Sequence, residues 1–445
     1  MKTSSFVGPL LLVTLLLSFG CGSKGGGNDT VPPSNVVGVA GGTVASADQR
    51  VSVTIPAGAL SSDTTITIEP AAGTFNGHVG TAYTFGPSGL TFTSPVTVSV
   101  SYAPEEIPAS LGEANLGLGL LVNGEWHPID DSTTDTAQRQ VRATTNHFSV
   151  FGVIGRAMYI SDTGPNHRIV RVRDFKGHGW KTYDGLDDPL EHPLGMVATD
   201  AKKRLLITDW GNSRIVRINN MEGDGRVEFG VDGSGANQFH RPAGIAVDSK
   251  GRIYIADRGN RRIVRIDDIE GSNWVAYGVL GSDTGQFQLP SGIVVDHKER
   301  IYVTDWGNHR IVRIDNMNGD GWTSVGTKGP DDLQFQNPAG ITVDAQGRIY
   351  VSDWGNHRVV RMDDMSGGNW DSVGSLGTGD LNFNHPAGIA VDPKRRIHVV
   401  DRENDRLVRM DDMNGAGWIT FGTTGPGEGQ FQRPVGIALA VEANK

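Results

Sequence analysis

Asp305-Trp306-Gly307-Asn308-His309-Arg310-Ile311-Val312-Arg313 is the stretch that decides the fold, because the chain repeats it. The same turn reads Asp209-Trp-Gly-Asn-Ser-Arg214, Asp257-Arg-Gly-Asn-Arg-Arg262 and Asp353-Trp-Gly-Asn-His-Arg358. Variants flank these, from Asp162 to Arg168 with Pro165 inserted, and at Asp401-Arg-Glu-Asn-Asp-Arg406. The closing arginines stand at 168, 214, 262, 310, 358 and 406, an interval of 46 and then four of 48. A second word, Pro-x-Gly, opens an apolar run at Pro193, Pro242, Pro290, Pro338, Pro386 and Pro434, and a third, as in Gly285-Gln-Phe287 and Gly429-Gln-Phe431, precedes several of these prolines. Each unit then holds four short apolar runs, in the third full unit Gly292–Asp296, Arg300–Asp305, Arg310–Asp315 and Trp322–Gly326. Four antiparallel strands in a repeat of about 45 residues make the blade of a β-propeller. Six units fill residues 156–441. The chain enters on a second-strand word, Met158-Tyr-Ile-Ser-Asp162, and leaves on a first-strand word, Gly436-Ile-Ala-Leu-Ala-Val441. The expectation is a six-bladed propeller closed by its C-terminal strand, which leaves no open edge.

These words resemble NHL repeats, the Asn-His-Leu family of propellers, with Asn166-His167-Arg168, Asn308-His309-Arg310 and Asn356-His357-Arg358 at the name-giving positions and Arg where Leu is usual. The resemblance implies the propeller fold and leaves the activity open, since such propellers include RNA readers, peptide binders, a metal-dependent amidating lyase and scaffolds.

Upstream, Val51-Ser-Val-Thr-Ile55, Thr65-Ile-Thr-Ile68 and Val96-Thr-Val-Ser-Val100 alternate with period two between Gly, Pro and Ser clusters, the pattern of strands with one buried face. Residues 36–154 therefore read as a β-sandwich, and the whole chain as all-β. Gly41-Gly42-Thr43-Val44, Ile55-Pro56-Ala57-Gly58-Ala59-Leu60 and Gly86-Pro87-Ser88-Gly89-Leu90-Thr91-Phe92 resemble the sandwich domain named for zonula occludens proteins and netrin receptors. That likeness implies protein contacts. Some relatives self-cleave at His-Phe-Ser, which here falls on His147-Phe148-Ser149: Ser149 would attack the carbonyl before it while His147 takes the proton. The competing reading is a plain final strand with Phe148 in the core.

The N-terminus is a third region. The apolar run Phe6–Gly20 behind Lys2 is too short to span a bilayer and suits a secretory leader over residues 1–20. It ends at Cys21, the single cysteine, and resembles a bacterial lipoprotein signal with Ser18 and Phe19 at atypical positions. The resemblance implies lipidation of Cys21, with Gly22 behind it as an outer-membrane address, so that the chain is held to the membrane without spanning it. Gly22–Asn35 reads as a flexible tether. The formal net charge is −10, and the part before residue 155 carries 5 basic and 11 acidic residues against 35 and 39 after it, so neither half is a polyanion binder and no nucleic-acid partner is expected.

In a propeller the turn after strand two and the loop before strand one emerge on one face. That places Thr163, Trp210, Arg258, Trp306, Trp354 and Arg402 near His192, Arg241, Leu289, Asn337, His385 and Arg433. Trp and Arg around one mouth suit the recognition of a protein, peptide or glycan. Each Trp could equally be a repeated packing plug. The recurrent Asp and the Arg of Arg-Ile-Val-Arg read as architectural, and Trp180, Trp274, Trp322, Trp370 and Trp418, with Arg226 in the odd unit, as inter-blade packing. Asn316-Met-Asn-Gly-Asp320 starts like a calcium loop but has Thr327 where a bidentate Glu belongs, so a hairpin turn fits it better. No nucleophile elbow, phosphate loop or Cys/His cluster is written in the sequence, and no cofactor or metal is expected. An enzyme of lactonase or lyase type, with a metal in the central channel, is the second reading.

Overall fold

The computed structural model describes residues 35–72, 78–107, 113, 116–122, 125–129, 132–185, 187–198, 204–392 and 395–442. Residues 1–34, on which the expected leader, Cys21 and all but the last residue of the expected tether fall, lie outside the described residues. Among those described the chain is all-β, with short 3-10 turns and no α-helix.

Residues before 150 contribute a two-stranded ladder of Val36–Val37 with Thr64–Thr65 and strands of two larger sheets. A five-stranded one runs in the order Thr133–Asp135, Gln140–His147, Thr91–Ser101, Val51–Ile55, Gly42–Ala45. The second contains Thr67–Pro70, Val79–Gly86, Leu116–Val122 and Glu125–Pro128. Alternation places Val51, Val53, Ile55, Val96, Val98 and Val141 of the first sheet in one core cluster with Phe85, Phe151 and Val153 of the second.

The strand Val150–Asp162 belongs to both halves of the chain. Its residues 150–155 pair antiparallel with Leu116–Leu121, and its residues 155–162 pair with the C-terminal strand Pro434–Glu442. Residues 158–162 pair on the other side with Arg168–Val172, which carries Lys181–Tyr183.

Five four-stranded antiparallel sheets follow, beginning with Pro193–Ala198, Ile245–Val247, Pro290–Val295, Pro338–Val343 and Pro386–Val391. In each, the Arg-Ile-Val-Arg strand shows the same burial alternation, its second, third and fifth residues inside. A Phe from the Gln-Phe word, fully buried, packs on the Trp that opens the outermost strand of the next sheet. The pairs are Phe239–Trp274, Phe287–Trp322, Phe335–Trp370, Phe383–Trp418 and Phe431–Trp180, with ring centroids 5.2–5.5 Å apart. Where the sixth Trp is missing, Arg226 Nη1 donates to Tyr183 Oη at 2.9 Å and to Gly185 O at 2.7 Å. These Trp residues therefore pack between sheets, as their spacing suggests.

A ring of backbone contacts surrounds the axis. A Cβ on Gly195 would collide with Ala243 O, one on Gly244 with Ser291 O, one on Gly292 with Ala339 O, one on Gly340 with Ala387 O, one on Gly388 with Val435 O, and one on Gly436 with Leu194 O. Glycine at the third position of Pro-x-Gly is thus required by close approach of the neighbouring backbone. Hydroxyls one residue before the conserved Asp fasten the same joints: Ser161 Oγ donates to Leu194 O at 2.7 Å and Thr304 Oγ1 to Ala339 O at 2.7 Å, while Thr208 and Ser352 donate to Ala243 O and Ala387 O.

On the opposite strand ends a further set repeats. Asp248, Asp296 and Asp344 accept from Arg252, Arg300 and Arg348 and from the phenols of Tyr254, Tyr302 and Tyr350, with His398 replacing Tyr beside Asp392. Burial first, and then the charge of Asp296, pushes the Tyr302 phenol up to about 12, and burial with a hydrogen bond to Glu113 does the same to Tyr102. Tyr254 and Tyr83 are raised for the same reasons. A raised folded pKa means stability that is complete below the unfolded value near 10 and lost as pH climbs through the folded one. Alkaline titration followed at 295 nm should therefore show these phenolates appearing together with loss of the circular-dichroism signal above pH 10. Ionisation near pH 10 without unfolding would contradict their burial.

Candidate functional site

Each conserved Asp is fully buried at the end of its strand and shares its two oxygens by rule. Asp353 Oδ1 accepts the backbone N–H of Gln336 at 2.7 Å, and Oδ2 accepts Asn356 Nδ2 at 2.7 Å and Arg358 Nε at 2.9 Å. Asp162, Asp209, Asp257, Asp305 and Asp401 repeat this with Gln432, Glu191, His240, Gln288 and Asn384 as backbone donors. Burial pushes the carboxyls of Asp162, Asp257, Asp353 and Asp401 up, with the donors opposing it. The guanidinium then reaches on, Arg358 donating to Pro330 O, Asp331 O and Gln334 O. Charge-assisted bonds of this kind fix the turn and with it the residue just after the Asp.

In four of the six turns that residue reaches one cavity. Arg258, Trp306, Trp354 and Arg402 line one cavity of about 300 Å3, whose remaining wall is the ring of Pro-x-Gly segments with Ile245, Ile293, Ile341, Ile389 and Ile437. Trp210 is not among the lining residues; the Arg241 guanidinium lies over it at 4.8 Å, and the His192 ring is 5.8 Å away. Thr163 is buried and donates to Arg433 O at 2.8 Å.

The residues before the prolines form an outer circle in the left-handed backbone region. His192, Arg241, Asn337, His385 and Arg433 have φ of 51–56°, and the turn residues Ser213, Arg261, His309, His357 and Asp405 have φ of 51–56°. Non-glycine residues there carry strain and gather at functional sites. The two circles are tied together. Asn337 N donates to His309 Nδ1 at 3.1 Å, His385 N to His357 Nδ1 at 3.1 Å, and Arg433 N to Asp405 Oδ1 at 2.7 Å. Asn337 Nδ2 donates to Trp306 O at 3.1 Å.

Each mouth Trp serves as a bed. Arg258 lies over Trp306 at 4.9 Å, Arg241 over Trp210 at 4.8 Å, and the His385 ring sits 3.8 Å from that of Trp354. Trp306 and Trp354 are 6.1 Å apart. The surface is therefore cationic and preorganised. Arg402 pairs with Glu403, and Arg433 approaches the same carboxylate at 3.6 Å. Arg258 Nη1 meets Ser291 Oγ at 3.4 Å, and burial pushes its guanidinium down. The isoleucine ring is not evident from the turn motif, but the column after each Pro-x-Gly carries it from Ile245 to Ile437, and Ser291 is the middle residue of its own Pro-x-Gly.

Elsewhere, Phe148 is buried, Ser149 Oγ donates to Leu121 O at 3.4 Å, and His147 Nδ1 shares a hydrogen bond of 3.1 Å with Thr145 Oγ1. Asn316–Gly321 closes a hairpin, Asn318 N donating to Asn316 Oδ1 at 2.9 Å and Asn316 Nδ2 to Asp320 Oδ2 at 2.9 Å. Among the described residues no three or more His, Cys, Asp or Glu are placed to hold a metal ion. An open dish of about 460 Å3 lies at Thr133–Ala137 and Arg142, but Arg142 is taken up by Gln140 and Gln138.

Residues 239–266, 287–314 and 335–362 match the NHL repeat family. None of the curated proteins matches the chain. Among solved structures, a chain of a nidogen/laminin complex superposes with a TM-score of 0.50 at 22% identity, covering 64% of this chain and 98% of that one. A streptogramin B lyase follows with 0.42 at 14% identity (64% and 98%), and a Bacteroides thetaiotaomicron VPI-5482 protein of unknown function with 0.45 at 15% (83% and 94%). The chain is an all-β protein that carries three NHL repeats in a propeller-like fold.

Proposed function

We propose that this chain is an exported binding protein: a β-sandwich over residues 36–154 carrying a six-bladed propeller over residues 156–441, whose mouth takes a protein, peptide or glycan. Cys21 is the lipid attachment point, the tether 21–35 follows the leader 1–20, and the outer membrane is the location. In support of six blades, the close contacts around the axis run from Gly195 through Gly388 and return from Gly436 to Leu194. In support of the sandwich, two sheets share one core.

One observation carries the binding reading: Arg258, Trp306, Trp354 and Arg402, from four successive repeats, line a single cavity. A mouth built of planar donors and aromatic area around a concave centre is what recognition sites use. The side chains nearest the hub, on Leu194, Ala243, Ser291, Ala339, Ala387 and Val435, supply no imidazole, thiolate or carboxylate. That favours binding over a channel-metal enzyme.

A peptide and glycan array probed with the wild type and with the Trp306→Ala/Trp354→Ala double variant tests it. The expected result is a wild-type ligand whose signal falls at least tenfold in the double variant at unchanged melting temperature. A wild type that binds nothing, together with one tightly held stoichiometric metal by elemental analysis, would overturn it in favour of the enzyme.

A further inference from the structure

The four arginines of the mouth are not equivalent. Arg402 and Arg433 share the carboxylate of Glu403, and Arg241 is exposed over Trp210. Arg258 is partly buried in the cavity, and among the described residues no carboxylate stands within ion-pair distance of it; its partners are the Trp306 ring and the Ser291 hydroxyl. In the same turn Arg262 is paired, with Asp257 five residues before it at 2.8 Å. A cation withdrawn from water without a counter-charge is costly, and an anion that supplies the charge recovers that cost.

We propose that the cavity seats the carboxylate of an Asp or Glu side chain presented by a protein partner, with Arg258 as its anchor. This rests on the binding reading above and names the ligand's chemistry.

A carboxylate fits better than a phosphate. The guanidinium offers a planar fork to two oxygens, it is the one uncompensated cation among the lining residues described, and the walls are otherwise apolar, with Ile245, Ile293 and Ile341 suited to the methylenes of an acidic side chain. A dianion would need a second free cation, and Arg402 is already paired with Glu403.

A protein fits better than a glycan for two reasons. One face of Trp210 and one of Trp306 are already covered, by Arg241 and Arg258, and the His385 ring lies against Trp354. The same face also exposes aliphatic side chains. Asn260 and Asn308, in the turns that present Arg258 and Trp306, donate to Gly233 O and Gly281 O, both at 2.8 Å. Those glycines directly follow the two-residue strands Val231–Asp232 and Val279–Leu280, whose Val231, Val279 and Leu280 are each 61–62% accessible. Exposed aliphatic side chains on the segments tied to these turns suit a folded or extended polypeptide and not a hydroxylated surface.

The test is an array of peptides with a central Asp or Glu, each beside its Asn or Gln counterpart, together with oligogalacturonates and neutral glycans. It is probed with the full chain as wild type, Arg258→Gln and Arg258→Lys, all checked for equal melting temperature. The expected result is wild-type binding to acidic peptides at least tenfold above their amide counterparts, that preference lost in Arg258→Gln and partly kept in Arg258→Lys. Peptides bound equally in acid and amide form, or an acid preference that survives Arg258→Gln, would overturn the carboxylate anchor and leave the binding mouth standing. Preference for oligogalacturonates would overturn the protein partner. A wild type that binds nothing on the array would overturn the binding reading itself, and the anchor with it.

Discussion

Deleting residues 434–445 is expected to leave a chain that is largely insoluble and melts without a cooperative transition. The strand Pro434–Glu442 is the partner of residues 155–162, so its loss exposes an unpaired edge along a strand whose Ala157, Met158 and Ile160 are buried. Ile437 and Ala438 leave two separate core clusters, one containing Phe431 and Val400, the other Leu205 and Val216. The ring joint through Gly436 and Leu194 opens too, together with the Ser161 hydroxyl that holds both. In an architecture that manages its edges by radial closure, such a gap invites edge-to-edge pairing with another copy. The combined loss is comparable with the 5–15 kcal/mol by which whole domains are stable. Soluble expression of the truncated chain with a sharp melting transition near that of the wild type would show that closure by this strand contributes little.

Asp353→Ala should be the most damaging single substitution in the repeats. It leaves the Gln336 N–H, the Asn356 amide and the Arg358 guanidinium without the acceptor they share, in a position with no solvent access. Breaking one side of a buried charge pair costs about 3–5 kcal/mol. At about 2–4 °C per kcal/mol for a domain of this size, the melting midpoint should fall by roughly 10 °C. Asp353→Asn should recover little, since an amide cannot accept all three donors. Asp371→Asn is the control: its carboxylate is exposed and only 3.8 Å from Arg361, an arrangement worth about 0–1 kcal/mol. Equal melting shifts for Asp353→Ala and Asp371→Asn would remove the buried carboxylate from its structural role.

Much of this was legible because the chain repeats its contacts at a fixed interval. Asp305, Asn308 and Arg310 are close in sequence, so their shared carboxylate follows from the turn alone. The Trp322–Phe287 pair was legible from the column of Trp opening each outer strand. The hydroxyl joints were harder. Thr304 and Ala339 are 35 residues apart, and the column before each Asp reads Ser, Thr, Ala, Thr, Ser, Val, an irregular signal. The long strand Val150–Asp162 was hidden because one continuous run pairs with strands of both halves within a single sheet, so that no turn residue marks the passage. At the mouth, the repeat puts Arg258, Trp306, Trp354 and Arg402 at equivalent positions, and they line one cavity while Trp210 does not. Which arginine lacks an acid does not follow from the repeat, because that turns on Glu403, a single departure from Gly in the final turn.

Hydrogen exchange along the C-terminal strand tests the closed ring most directly. If that strand zips onto residues 155–162, the amides of residues 437–441 should exchange as slowly as those of the inner strand Ile253–Asp257, and more slowly than the outermost strand Lys181–Tyr183. Amides at 437–441 that exchange as fast as an open chain end would contradict the closed six-bladed ring that we propose.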